Sequence, residues 1–551
     1  GVVLVVAYLA MTPLAMLIYG SLQSGFMVGP GEFTLANYIE AYSDREFYSL
    51  FLNSFIYALG VSIFTFFIGT ILAWVCERTN TPGRKLFAVL AVAAYIIPGV
   101  LLTISWILLL SPRIGLLNNL LTTLFGLAES PLTIYSYWGM IWTASVHLYP
   151  LNFLIMSAAF RSMDSSLEEA AWAAGANNLT CLWQITLKVL RPALLSTMLI
   201  LFIRGIESFE VPALIGIPAR IYVFTTKIYE AASGFPPALG LAGANASILL
   251  FISVLGVFLY QKMTAQKESF TTITGKGFRP RIIDLGRGKY LSSAGCILFF
   301  VVTLLLPVLA LLGTSFSRHM VALTPEAFKN FSLQEYRFVL SYPIITRAFR
   351  NSVILAAGSA TVVMFLTSII AWITVRTKIP GRWMLDALTF IPIAIPGVIM
   401  GVSMIFVYLT LPIPIYGTLW ILLVAYVTLY LPYAIRVASA PMMQIHSELE
   451  EASTASGASW PQTFLRIVLP LLLPGFLSGW IYVAIISLRE LSASIFLVGQ
   501  GTEVLSTVVF SLWDGGSISS VAALGVLMTF FLIVLALIVQ RWQRRLGILR
   551  E

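Results

Sequence analysis

Apolar residues run along this chain in long unbroken blocks, without the alternation of a strand or the single stripe of a surface helix. The blocks cover roughly 1–20, 52–76, 87–110, 133–158, 192–212 and 239–260. Six more cover 290–314, 351–375, 385–410, 415–435, 470–488 and 519–540. Each supplies about 20 residues, which at 1.5 Å per residue cross the roughly 30 Å of bilayer hydrocarbon. The pattern predicts an all-α polytopic membrane protein with twelve transmembrane helices. The strands of a β-barrel would instead alternate over about 10 residues. Residues 1–20 show neither a basic leader nor a small-residue cleavage site, so they read as a first span and not as a signal peptide.

Composition agrees. Hydrophobic residues make up 59% of the 551 and charged residues 10%, against about 45–50% and 25% in soluble chains. A water-soluble fold could not cover so much apolar surface with so little charge. Of the 33 Lys and Arg residues, 22 fall in 77–86, 161–191, 261–289, 376–382, 436–466 and 541–551, and 9 in the alternate connections. The positive-inside rule therefore puts both termini and the first set of loops in the cytoplasm. The net charge of +9 then reflects loops facing anionic membrane lipid, and nucleic acid is not expected as a partner. Cys76, Cys181 and Cys296 are scattered, which suggests neither disulfides nor a cysteine metal site.

The second half repeats the first. Asn53-Ser54, Ala73-Trp74, Arg78-Thr79, Pro82-Gly83-Arg84 and Pro98-Gly99-Val100 recur at a constant offset of 298 as Asn351-Ser352, Ala371-Trp372, Arg376-Thr377, Pro380-Gly381-Arg382 and Pro396-Gly397-Val398. Six spans per half is an even number, so both halves enter the membrane in the same direction as parallel repeats, with a solute path expected between them. The expected division is a first transmembrane domain at 1–262, a cytoplasmic linker at 263–288 and a second transmembrane domain at 289–551.

Two cytoplasmic loops repeat more specifically. Residues 168–192 read EEAAWAAGANNLTCLWQITLKVLRP and residues 450–474 read EEASTASGASWPQTFLRIVLPLLLP, matching at an offset of 282. The shorter offset places extra residues of the first half near 111–132. Each loop reads as a short helix lying along the membrane surface. Glu168, Glu169, Glu450 and Glu451 suit its positive N-terminus. Ala170 and Ala452 favour helix and allow close approach. Gly175 and Gly457 permit a sharp turn. Pro192 and Pro474 are expected near the start of the next span.

These loops resemble the EAA motif of inner-membrane permeases of binding-protein-dependent ABC importers: Glu-Ala-Ala, three residues, Gly, nine residues, Ile, one residue, Leu-Pro. The first copy has Glu169-Ala170-Ala171, Gly175, Ile185 and Leu187, with Lys188 in place of Pro. The second has Glu451-Ala452, Ser453 for the last Ala, then Gly457, Ile467 and Leu469-Pro470. The resemblance covers nearly the whole chain. It implies two cytoplasmic ATP-binding subunits, a homodimer holding ATP and Mg, each seated on one loop, and a periplasmic or extracellular solute-binding protein. A fused pair of such domains is most similar to the ferric-iron permease group, through SFEVPALIG at 208–216 and LRELSASIFLVGQGTEVLSTVVFSLWDGG at 488–516. Thiamine, polyamine and aminoethylphosphonate permeases share the architecture, and an ion-coupled secondary transporter is the rival class.

The chain has no GxxxxGK[ST] phosphate loop, since Thr274–Gly277 is too short for one, so no catalytic residue or cofactor is expected in it. His147, His319 and His446 are too far apart in sequence to suggest a tightly bound metal. Charges near span depth are the candidate solute path: Arg204, Glu207 and Glu210 in the fifth span, Arg489 and Glu490 in the eleventh. Charge at that depth is costly and faces protein or water. These residues can line a path, or form structural ion pairs near the interface.

Overall fold

A computed structural model of the chain describes residues 1–25, 31–43, 45–163, 166–265, 282–317, 331–446 and 448–545. Residues 266–281 of the expected linker lie outside the described residues. The fold is all-α. Among the described residues, nine helices are long and apolar enough to cross a membrane, and two bent helix pairs bring the number to eleven if each pair counts as one span. The predicted fourth span is the 26-residue helix Tyr137–Ser162. It carries Thr143, Ser145, His147, Asn152 and Ser157 and is not among the nine.

The predicted spans at 87–110 and 385–410 are the two bent pairs. Arg84–Ile96 and Gly99–Leu110 meet at 100°, and Arg382–Ala394 and Gly397–Thr410 at 109°. Proline pushes the residue before it out of helical conformation. Ile97, before Pro98, is extended at φ −69°, ψ 125°. Ile395, before Pro396, lies at φ −102°, ψ 103°. The repeated Pro-Gly-Val is thus a repeated break.

The repeated Arg-Thr and Pro-Gly-Arg form a corner. Gly83 and Gly381, at φ 80° and 86°, reverse the chain after the 34-residue helices Arg45–Arg78 and Pro343–Arg376. A left-handed backbone of this kind strains any residue with a Cβ. Arg84 then donates to the Thr79 carbonyl (3.1 Å), and Arg382 to that of Thr377, capping the end of the preceding helix. In the first corner, residues 282–287 also bind there. Ile283 N–H donates to the Arg78 carbonyl (2.7 Å) and the Asn80 amide to Asp284 (2.5 Å). The Gly286 N–H and the Asn80 amide hold the Asp284 carboxyl below its usual range.

The packing does not follow chain order. One compact unit contains Gly1–Asp44, Lys227–Leu250 and Tyr336–Glu551. The other contains Arg45–Thr226 and Phe251–Glu335. Each unit holds the first helix of the other repeat. In the first unit, Val2–Ser21 packs on Gly397–Thr410, where Tyr8 and Tyr408 share a hydroxyl hydrogen bond (2.9 Å) and Gly20 lies against the Phe406 ring. In the second, Phe299 meets Tyr149 edge-on and Phe300 stacks on Phe87, with ring centroids 5.1 and 5.9 Å apart.

Small and polar residues make the close helix contacts, as expected where lipid removes the hydrophobic drive for helices to associate. Asn152 donates to the carbonyls of Thr65 and Phe66 (2.9 and 2.8 Å), with Gly69 beneath it. In the other unit Ser359 pairs with Ser487 (2.9 Å).

Gly20→Val should therefore push the Phe406 ring aside and cost about 1–3 kcal/mol of stability. Gly313→Val should cost much less, because a side chain there meets open space. Thermal unfolding of the two purified variants checks the difference; equal melting points would refute the packing of Val2–Ser21 on Gly397–Thr410.

Candidate functional site

The two repeated loops fold alike. Glu168 and Glu169 lie in the first turn of helix Ser166–Ala173, and Glu448, Glu450 and Glu451 in the first turn of Glu448–Ala455. Each helix ends in the same cap. Gly175 N–H donates to Trp172 and Ala176 N–H to Ala171 (2.9 and 3.0 Å); Gly457 N–H donates to Thr454 and Ala458 N–H to Ser453 (2.9 and 3.2 Å). This is a Schellman ending, which needs a left-handed residue. Gly175 and Gly457 supply it at φ 89° and 82°. A Cβ on either would meet nothing within 4 Å, so backbone conformation, not crowding within this chain, requires glycine.

The adjacent glutamates have opposite fates. Glu169, Ala170, Glu451 and Ala452 are exposed, as are both glycines. Glu168 is 2% exposed and pairs with Arg78, itself 1% exposed, while Thr186 donates to its second oxygen (2.6 Å). Glu450 faces inward less completely. It meets Arg376 (3.4 Å) and accepts from the Trp372 indole (2.8 Å), and Arg376 also donates to the Ile445 carbonyl. Arg78 and Arg376 end the long helices that precede each corner. The two sequence repeats, at offsets of 298 and 282, thus meet in one ion pair per half. The sequence had marked Arg78, Arg376 and Trp372 as repeated, but nothing in it joined them to the loops.

Beyond each loop the chain passes through a π turn, Leu182–Thr186 or Phe464–Val468, into Leu187–Ile206 or Leu469–Leu488. Pro192 and Pro474 fall in the second turn of these helices, slightly deeper than expected.

The candidate path residues divide. Glu207 and Arg489 are the matching C-caps of Leu187–Ile206 and Leu469–Leu488. Arg204 pairs with Glu207 (3.2 Å), so these two charges form an ion pair. Glu490 accepts from Tyr430 and from the Ala493 N–H (3.1 and 2.9 Å), and its own carbonyl accepts from Ser506 (2.5 Å). Glu490 also borders Gly397, and Glu210 with His147 borders Gly99. In each half a carboxylate therefore lies at the first residue after the proline break, where the positive end of a helix favours it. Sequence reasoning missed His147 here. The tie between the breaks and the carboxylates comes from folding alone.

Removing one member of a buried pair strands the other charge at a cost of about 3–5 kcal/mol. The Arg376–Glu450 pair keeps 15% and 16% of its side chains exposed, so water screens a stranded charge there more and the cost is smaller. Arg78→Ala should therefore destabilise the chain more than Arg376→Ala and loosen the first loop. Thermal unfolding and protease sensitivity near Glu169 check this; an equal response of the two loops would contradict the difference in burial.

Residues 65–324 and 364–547 match the family described as binding-protein-dependent transport system inner membrane component. The chain is 30% identical over 460 residues to a protein of Haemophilus influenzae described as a ferric transport system permease, covering 83% of this chain and 70% of that one. A ferric transport system permease of Actinobacillus pleuropneumoniae is 28% identical over 480 residues, covering 87% and 68%. A spermidine/putrescine transport system permease of H. influenzae is 28% identical over 241 residues, 43% of this chain and 92% of that one. Two copies of the family's domain, on an all-α multi-pass membrane fold with a loop helix repeated in each copy, place the chain among the non-catalytic inner-membrane permease components of binding-protein-dependent ABC importers.

Proposed function

We propose that this chain supplies both transmembrane halves of an ATP-driven importer of ferric iron. The observation that carries the coupling half of this reading is the pair of Gly-capped surface helices, each presenting an exposed Glu-Ala face while tied by Glu168 or Glu450 to an arginine at the end of a long helix. Two ATP-binding subunits, a homodimer holding ATP and Mg, seat on the faces around Glu169-Ala170-Gly175 and Glu451-Ala452-Gly457. Their closure moves each loop helix. The Arg–Glu pair and the continuous backbone pass that movement to the helices on either side. The device has two states, and ATP and the loaded binding protein each bias the balance between them. The bent pairs and Tyr137–Ser162 complete twelve spans as two parallel six-helix repeats, with both termini in the cytoplasm.

Ala452→Cys tests docking and orientation together. The native cysteines Cys76, Cys181 and Cys296 are buried, so background labelling should be low. An impermeant thiol reagent should modify the new cysteine in inverted vesicles but not in intact cells, and added ATPase subunits should protect it. Gly457→Trp should abolish ATPase capture and uptake while the protein stays in the membrane. Labelling from outside intact cells would invert the topology, and normal capture by Gly457→Trp would remove the docking assignment.

Ferric iron is favoured as cargo because three relatives that each match more than four fifths of this chain are named for it. The polyamine and aminoethylphosphonate relatives match less than half of this chain. A hard trivalent ion prefers oxygen ligands, and a path must bind weakly enough to release. Glu210 and Glu490, at the two helix breaks, are the lining carboxylates in this reading. Arg204, Glu207 and Arg489 set the potential around them. Glu490→Gln should lower ferric uptake several-fold with ATPase assembly intact. The reconstituted system with its own binding protein should accumulate labelled ferric iron in preference to putrescine, thiamine or aminoethylphosphonate. Accumulation of one of the organic solutes without iron would replace the cargo and leave the importer architecture standing.

A further inference from the structure

Within one compact unit, the helices Gln334–Ser341, Pro343–Arg376, Leu505–Asp514 and Ile518–Arg545 line a half-open cavity of about 280 Å³. Its floor is Val339, Ile345, Leu505, Leu524 and Met528, all buried. Phe349 and Phe531 stand edge to face at its rim, 5.3 Å between centroids. Thr346 is the single polar side chain of the lining, and its hydroxyl donates to the Tyr342 carbonyl (3.4 Å). Such a wall offers nothing to an ion or a small polar solute. It suits a hydrocarbon chain.

A second observation concerns charge. Of the 9 basic residues in the connections expected outside the cytoplasm, five fall in 315–350, against two acidic residues there, Glu326 and Glu335. This runs against the general thinning of positive charge on that side. Arg347 is spent on Glu503, which it grips with two hydrogen bonds (2.9 and 3.0 Å). Arg337 and Arg350 are exposed. Arg350 lies one helical turn after Thr346, and Arg337 one turn before Leu340, both in the cavity lining, so each arginine shares a helix face with the cavity wall.

We propose that this cavity holds one acyl chain of an anionic phospholipid whose phosphate lies against Arg337 and Arg350. A lipid chain is already in hydrocarbon before it enters, so the cavity adds packing but no transfer from water. Discrimination between lipids must then come from the headgroup. A basic residue at the membrane surface favours an anionic lipid by about 1 kcal/mol, roughly fivefold in affinity. The site is independent of the cargo and of the ATPase contacts.

The test is native mass spectrometry of the delipidated full chain, titrated with phosphatidylglycerol and with phosphatidylcholine of the same acyl chains. Wild type should retain phosphatidylglycerol at roughly tenfold or more lower lipid concentration. Arg337→Gln and Arg350→Gln should each reduce that preference about fivefold. Met528→Trp, which fills the cavity, should reduce retention of both lipids. Equal retention of the two lipids by wild type, or an undiminished preference in both arginine variants, overturns the proposal. So does full retention in Met528→Trp protein that elutes like wild type. If that variant does not fold, the two surface arginine variants decide. Arginine variants that keep the lipid preference but lose stimulation by the soluble binding protein in detergent would show that the arginines face that protein, and the lipid site would be rejected.

Discussion

A peptide N–H or C=O left unpaired in hydrocarbon costs several kcal/mol, and the architecture of this chain follows from avoiding that cost. Long helices satisfy their own backbones, which is why apolar blocks of bilayer length fold as they do. The informative places are those where the helix gives way. Both breaks occur at Pro-Gly, bend the chain by 100° and 109°, and have a carboxylate beside the first residue of the new helix. A break at such depth is tolerated where it is covered by protein or lines a polar cavity. The break positions and the acidic residues are therefore two sides of one constraint.

The same economy governs charge. Arg78 and Glu168 are almost wholly removed from solvent, and the Thr186 hydroxyl satisfies a further carboxylate oxygen. The equivalent Arg376–Glu450 pair is looser and recruits the Trp372 indole and the Ile445 carbonyl. A buried ion pair is weak evidence of stability, since desolvation offsets its attraction. Its value here is positional. It fixes the inner face of each surface helix and leaves the next glutamate, Ala170 or Ala452, and the capping glycine outward. Duplication kept this geometry while letting the anchors diverge.

Duplication also left an exchange. Each compact unit contains the first helix of the other repeat, so a cut at the linker would separate helices from the surfaces they cover. Close approach at Gly20 and the Tyr8–Tyr408 hydrogen bond make the Val2–Ser21 contact specific. Fusion of the two halves into one chain guarantees both partners in equal number.

The membrane class, the duplication and the two surface loops are legible along the chain, because each depends on local pattern: bilayer-length apolar runs, a constant offset, and a helix bounded by acidic residues and glycine. So are the capping glycines, whose positive φ is a local requirement. Which glutamate of each pair turns inward is set by folding, since Glu168 and Glu169 are identical in sequence terms and differ only in what the end of a distant helix presents to them. The same holds for the bends, where Pro-Gly signalled a break but not its angle, and for Glu210 and Glu490, brought to those breaks from more than ninety residues away. The ion pair of Arg204 with Glu207 needed only one helical turn, and the sequence had it within reach. The exchange of first helices left no trace in the sequence, because an apolar span is equally apolar against either unit. Shape, at Gly20 and Phe406, chooses the partner.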